Sequence, residues 1–276
     1  MHLSRREFLA ATAGGAAVGP LMADPLGIPI GTQTWPIRDA VGRDFPGTLK
    51  QVAAMGYRTI EMCSPPSYRE GFGALAGMSA AEMKKTIETA GLRCESCHYQ
   101  FREMKENLDE RIAFARDLGL KQMILSTFGL PDNASMASWA NAAGDLNKIA
   151  EKVAKAGMQA GYHNHNGEFQ KIAGEPIYDK LMAEFDPNLV KMQFQVAVIS
   201  IGYEAATYMQ KYPGRFISMH LADWSPVARK QTAVGSGSVD WKALFAAAKT
   251  GGVKNYFVEM NLEFMKPSYD FLHGLA

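Results

Sequence analysis

Eight strand-like runs, each followed by a helix-length segment, set the limits on what this chain can fold into. They begin near residues 28, 57, 92, 122, 158, 190, 215 and 255. A spacing of roughly thirty residues is that of one strand–helix unit of a parallel sheet. The runs cover 28–35, 57–63, 92–100, 122–128, 158–162, 190–196, 215–221 and 255–260. Helices are predicted over 46–55, 79–90, 108–118, 135–156, 176–184, 203–211 and 239–249, with a short closing helix from Ser268. Ser79 and Glu82 form a capping-box pair, and Gly56, Gly91, Gly119 and Gly157 stand where helices stop. With 276 residues, 47% of them hydrophobic, the chain can fill one large core. Eight such units fit a single-domain (β/α)8 TIM barrel. A doubly wound open sheet is the alternative, but no G-x-G-x-x-G follows the first run, so its dinucleotide form lacks a fingerprint.

The first residues do not belong to this pattern. Ser4-Arg5-Arg6-Glu7-Phe8-Leu9 precedes an Ala/Gly-rich apolar stretch that ends near Ala23. A paired arginine before a mild apolar segment resembles a twin-arginine (Tat) export signal. The segment falls short of the roughly 20 apolar residues a membrane span needs. The expected division is a signal over 1–23 and a barrel over 24–276, with export by the Tat machinery to the periplasm. The formal charge of +1 becomes neutral once Arg5, Arg6 and Glu7 are removed. Such a balance points to neither nucleic acid nor an anionic membrane as partner. The three cysteines, Cys63, Cys94 and Cys97, do not make a disulfide framework. Cys94 and Cys97 have C-x-x-C spacing, but residues three apart on a regular strand face opposite sides. Neither a local disulfide nor a shared zinc then fits, and buried thiols are expected.

Active sites of such barrels lie at the C-terminal ends of the strands. The densest polar stretch, Gly161-Tyr162-His163-Asn164-His165-Asn166-Gly167-Glu168-Phe169, sits at such an end. His163 and His165, two apart, share a side, and Glu168 follows on the loop. Trp35, Glu61, His98, Gln195, His220 and Glu259 close other strands. Each alone has an ordinary reading. A strand histidine is usually a hydrogen-bonded core residue, and a strand-end glutamate often forms an ion pair. Jointly they carry more weight, because four of the six histidines fall at strand ends. That placement predicts one shared metal or acid–base site.

Several of these segments together resemble the xylose isomerase-like TIM barrels, the sugar phosphate isomerase/epimerase group. The resemblance runs over residues 27–276. It is carried by Gly56-Tyr57-Arg58-Thr59-Ile60-Glu61-Met62, the His163 stretch, Tyr212-Pro213-Gly214-Arg215-Phe216-Ile217-Ser218-Met219-His220-Leu221-Ala222-Asp223, Val234-Gly235-Ser236-Gly237-Ser238-Val239-Asp240-Trp241 and Tyr256-Phe257-Val258-Glu259-Met260. The family implies a divalent cation held by Glu, Asp, His and Glu from strands five to eight. His220 and Glu259 match the last two. His163 stands at the Glu position and Gln195 at the Asp position, so the implied ligand set is His163, Gln195, His220 and Glu259. That set brings one negative charge where the family pattern brings three. Imidazole-rich ligation favours Mn, Fe, Co, Ni or Zn over Mg or Ca. The departures also remove one of the two opposed carboxylates that two-base epimerisation needs.

The resemblance thus implies a metal-dependent isomerase or epimerase acting on a sugar or keto-sugar. Its chemistry would be proton abstraction beside a carbonyl, with the cation stabilising the enediolate. Glu168 or His165 would serve as base in addition to Glu259. Trp35, Glu61, His98 and Asp223 would line the sugar site. A keto-glycoside lyase or hydratase is the alternative outcome, and an exported sugar-binding protein without catalysis is the reading from another class. The Gly235-Ser236-Gly237 turn could offer backbone N–H groups to an anion. Carbohydrate is the expected partner, and homo-oligomerisation is left open.

Overall fold

A computed structural model describes residues 24–275, so the twin-arginine segment lies outside the described residues. Eight strands close into one parallel barrel: β1 (Gly31–Gln33), β2 (Thr59–Cys63), β3 (Arg93–Tyr99), β4 (Gln122–Leu125), β5 (Gln159–His163), β6 (Val190–Gln195), β7 (Phe216–Leu221) and β8 (Asn255–Val258). Each pairs with its neighbours in sequence, and β8 closes on β1 through Gly31↔Phe257. The strands are buried on both faces, which is why they read as nearly unbroken apolar runs.

The outer layer is α1 (Phe45–Ala54), α2 (Ala80–Thr89), α3 (Leu108–Leu118), α4 (Met136–Lys155), α5 (Ile177–Glu184), α6 (Ala205–Lys211), α7 (Trp241–Gly251) and α8 (Leu262–His273). The capping box at Ser79 and Glu82 forms as the spacing predicts. Gly252 ends α7 at φ 89°, a left-handed position that glycine adopts without a Cβ clash. The closing helix is longer than expected, starting at Leu262 and running through Pro267. Met265, Ser268 and Leu272 bury one face of it, and that packing holds the helix across the missing N–H.

Two irregularities set the register of the interior. Between β2 and β3, Ile60 pairs with Cys94 but Glu61 pairs with Ser96, so Glu95 is an extra residue. Between β6 and β7, Met192 pairs with Phe216 and Gln193 with Ser218, which leaves Ile217 extra. Each is a bulge that flips the alternation beyond it. The first corrects the expectation for the cysteines. Cys94 and Cys97 pair with Ile60 and Met62 and so share the outward face of β3 rather than facing opposite ways. All three cysteines are free and buried, and burial pushes their thiols up.

Candidate metal centre and active site

The middle of a barrel of this kind is usually filled with branched aliphatic side chains. Here Gln33, Glu61, Ser96, His98, Gln193, Ser218 and His220 are buried instead. Glu61, fully buried on β2, is the hub. It accepts hydrogen bonds from Gln33 Nε2 at 2.6 Å, Ser96 Oγ at 2.5 Å, Gln193 Nε2 at 2.8 Å and His220 Nε2 at 2.5 Å. His98 Nε2 lies 3.2 Å from the same carboxylate and donates to Gln193 Oε1 at 2.6 Å. Burial pushes the Glu61 carboxyl up, but the neighbouring His98 and His220 outweigh it and hold it at about 2. A buried anion is tolerated when it is paired and fully hydrogen-bonded, as this one is.

Above Glu61, His98, His163 and His220 bring one ligand atom each to within 4.8 Å of one another. Their ring centroids stand 5.0 Å (His98–His163), 5.0 Å (His98–His220) and 4.4 Å (His163–His220) apart. The Nδ1 atoms of His163 and His220 are buried without a hydrogen-bond partner. Burial first, then the charges of its histidine neighbours, holds His163 well below the usual imidazole range. Burial also lowers His98, with Glu61 opposing it. For His220, burial lowers the pKa, but Glu259 and Glu61 on its two sides push it up to about 9. Orphaned imidazole nitrogens converging in one place suit a divalent transition metal. The Glu61–His220 bond has the form of the carboxylate–histidine support that would fix the tautomer of a metal-binding ring. A cation there would have to displace the proton of His220.

Glu259, just past β8, is the carboxylate at the mouth, with its side chain 17% exposed. Its Oε2 is 3.4 Å from His220 Nδ1, without hydrogen-bond geometry, and accepts from Gln195 Nε2. Burial raises its pKa, but His220 more than compensates and holds it below the usual range.

The expected site residues therefore divide. His163, His220 and Glu259 stand together, and His98 joins them as a ligand candidate rather than a sugar contact. Gln195 is at the mouth, but its Oε1 accepts from Ala197 N–H at 3.2 Å while its amide holds Glu259. It positions the carboxylate instead of offering a ligand atom. Glu61 sits beneath the cluster, not on the sugar rim. Glu168 does not reach the cluster. Its carboxylate is buried and accepts from Tyr162 Oη at 2.6 Å and His165 N–H at 2.7 Å. Tyr162 alternates with His163 and faces away from the axis, so it draws Glu168 with it. His165 remains exposed, its ring edge-on to His163 at 4.8 Å. Trp35 stands at the end of β1, but the Arg38 guanidinium covers its ring at 4.3 Å, so that face is not open to a sugar.

Asp223 is the largest correction. Its buried carboxylate accepts from the N–H groups of Gly235 (3.0 Å), Gly237 (3.1 Å) and Val239 (3.2 Å) and from Trp241 Nε1 (3.0 Å). It ties down the loop before α7 and contacts no part of the histidine cluster's polar network. Asp223→Ala would orphan these donors. We expect a loss of about 3 kcal/mol or more in thermal denaturation, with metal content unchanged. Loss of metal with normal stability would contradict this role.

Gln33 and Ser96 belong to the site and were not anticipated. Ser96 reaches Glu61 only because of the bulge at Glu95, which leaves no mark in the pattern of residues.

A parallel (β/α)8 barrel with imidazoles and a carboxylate at its C-terminal mouth defines a class of metal-competent barrel enzymes. The chain belongs to the xylose isomerase-like TIM barrel family, whose sequence profile it matches over residues 49–265. It is 24% identical over 214 residues to the inosose dehydratase of Geobacillus thermodenitrificans, an alignment covering 64% of this chain and 71% of that protein. A sugar phosphate isomerase/epimerase of Parabacteroides distasonis superposes with a TM-score of 0.76 at 23% identity, over 89% of this chain and 93% of that one. The IolI protein, solved with a bound zinc atom, superposes with a TM-score of 0.65 at 13% identity, over 90% and 94% of the two chains. With enzymes as relatives and a reactive site at the catalytic end of the barrel, the chain is an enzyme.

Proposed function

We propose that this protein is a metal-dependent lyase that eliminates a β-oxygen substituent from a keto-sugar or keto-polyol. The observation that carries the reading is the pairing of three converging histidines with one mouth carboxylate. His98, His163 and His220 would hold a divalent transition metal, which when bound supplies Lewis acidity to a carbonyl oxygen. Glu259, held ionised, takes the proton from the carbon beside the carbonyl. The electron pair left behind moves toward the carbonyl and returns to form a C=C bond. That expels the oxygen on the next carbon, which leaves as water or an alcohol with a proton from His165. Gln195 aims the base, and Glu61 with Gln193 fixes the histidine rings. The dehydratase relative acts in the same sense, by loss of water, as its name states.

Single-base isomerisation is the second reading. Glu259 would return the proton to the neighbouring carbon, which needs no further carboxylate. Two-carboxylate epimerisation is not supported, because Glu168 is turned away from the cluster.

Elemental analysis tests the metal. We expect about one equivalent of Mn, Fe, Co, Ni or Zn per chain, consistent with imidazole ligation. Chelation should abolish turnover of inosose and keto-sugars, and His220→Ala should hold no metal. A wild-type chain that stays metal-free after incubation with all five ions would sink the reading. We also place the protein in the periplasm, on the Arg5-Arg6 signal pattern. Cell fractionation should find it there, and Arg5→Lys with Arg6→Lys should retain it in the cytoplasm. Unchanged export of the double variant would remove the Tat assignment.

A further inference from the structure

Beside the histidine cluster lies a groove of 340 Å³ between the loops that follow β4 and β5. That volume is within the range of small-molecule sites. His165 stands between the groove and the cluster: it lines the groove, and its ring packs edge-on against His163 of the cluster. Trp139, Leu130 and Ile177 give the groove apolar walls, while Gln170, Asp132 and Thr127 give it polar edges. A flat wall with a polar rim matches a ring that has apolar faces and hydroxyl or ether edges. The lining contains no Lys or Arg, and it contains two acidic residues, Asp132 and Glu168. A phosphate placed there would meet like charge with no compensating cation. The other place a phosphate could have been held, the N–H groups of Gly235 and Gly237, is filled by the Asp223 carboxylate.

We propose that this groove is a second subsite of the active centre, and that it takes the second ring of a neutral, unphosphorylated glycoside. The reacting sugar then sits over the cluster, and the group attached to it through oxygen extends past His165 toward Trp139. This rests on the reading of the cluster as the reactive site and adds to it the substrate class. It separates this chain from barrels that act on sugar phosphates.

The test is isothermal titration of the full, metal-loaded protein with three probes: methyl β-D-glucopyranoside, 4-nitrophenyl β-D-glucopyranoside and D-glucose 6-phosphate. The nitrophenyl glucoside should bind about ten-fold tighter than the methyl glucoside, the size of one good aromatic contact. Trp139→Ala should remove that advantage and leave the methyl glucoside unaffected. If Trp139→Ala does not fold, Ala134→Trp, which fills the groove from a loop position, should remove it instead. The phosphate should bind no tighter than the methyl glucoside. Equal affinity for the two glucosides, tighter binding of the phosphate, or no binding of any probe would overturn the subsite. A chain that holds metal but gains nothing from the nitrophenyl ring keeps the lyase reading and loses this one. A chain without metal loses the lyase reading first.

Discussion

Glu259→Gln is expected to fold normally, keep its metal and lose about 10²–10⁴-fold in kcat, the usual contribution of a positioned general base. The substitution keeps size and the contact with Gln195 while removing the carboxylate proposed to accept the proton. Metal retention follows because the three converging nitrogens come from His98, His163 and His220, not from Glu259. Two measurements on one sample separate the alternatives. Turnover within a factor of about three of wild type, small against that expected loss, would move the base elsewhere, with His165 the nearest candidate. Loss of metal together with turnover would make Glu259 a ligand, as the family pattern implies. KM should change little, because the amide keeps the shape of the mouth.

Glu61→Gln should weaken zinc binding by about 10–100-fold, the range seen when the hydrogen-bond partner of a metal-binding histidine is altered. Glu61 touches no solvent and can only accept hydrogen bonds, which is what Gln33, Ser96, Gln193 and His220 require of it. An amide at that position turns a donor toward at least one of these donors. His220 then loses the acceptor that fixes its Nε2–H, and with it the tautomer that frees Nδ1. Competition with a chromophoric chelator measures the affinity, and the visible spectrum of the Co(II) form reports the geometry. A folded Glu61→Gln protein with wild-type zinc affinity and an unchanged cobalt spectrum would show that the carboxylate only fills space. The same variant should melt at a lower temperature, since it leaves buried donors unmatched.

Much of this molecule is legible in its sequence, and the reasons differ from part to part. The barrel is written in the spacing of its units. Its helix ends are written in local chemistry, such as Ser79 with Glu82, which needs no tertiary information. His163, His220 and Glu259 are legible because strand ends and alternation place them. Depth along the axis is not written that way. Glu61 and His98 differ in role because of how far each lies below the mouth, which depends on register and on two bulges. Asp223 and Glu168 were misplaced for another reason. Both sit just beyond strands, where a reactive residue and a loop anchor look alike until the loop folds back. The N–H groups of residues 235–239 and the Tyr162 hydroxyl decided those two cases, and neither lies near in the pattern that suggested a site.

The additional residue at Glu95 acts on β3 as a half-period phase shift. Everything before it follows one beat of inside and outside, and everything after it follows the opposite beat. His98 is on the axis because of that offset, and so is Ser96. Deleting Glu95 would leave a regular strand in which Ser96 follows Cys94, so Ser96 and His98 would keep their inward places. Straightening the strand with Glu95 retained would instead turn both outward. The inward place of His98 thus depends on the strand staying bulged as long as Glu95 is in it. Grafting these histidines onto another barrel would require either the irregular strand or a regular one with one residue fewer before Ser96.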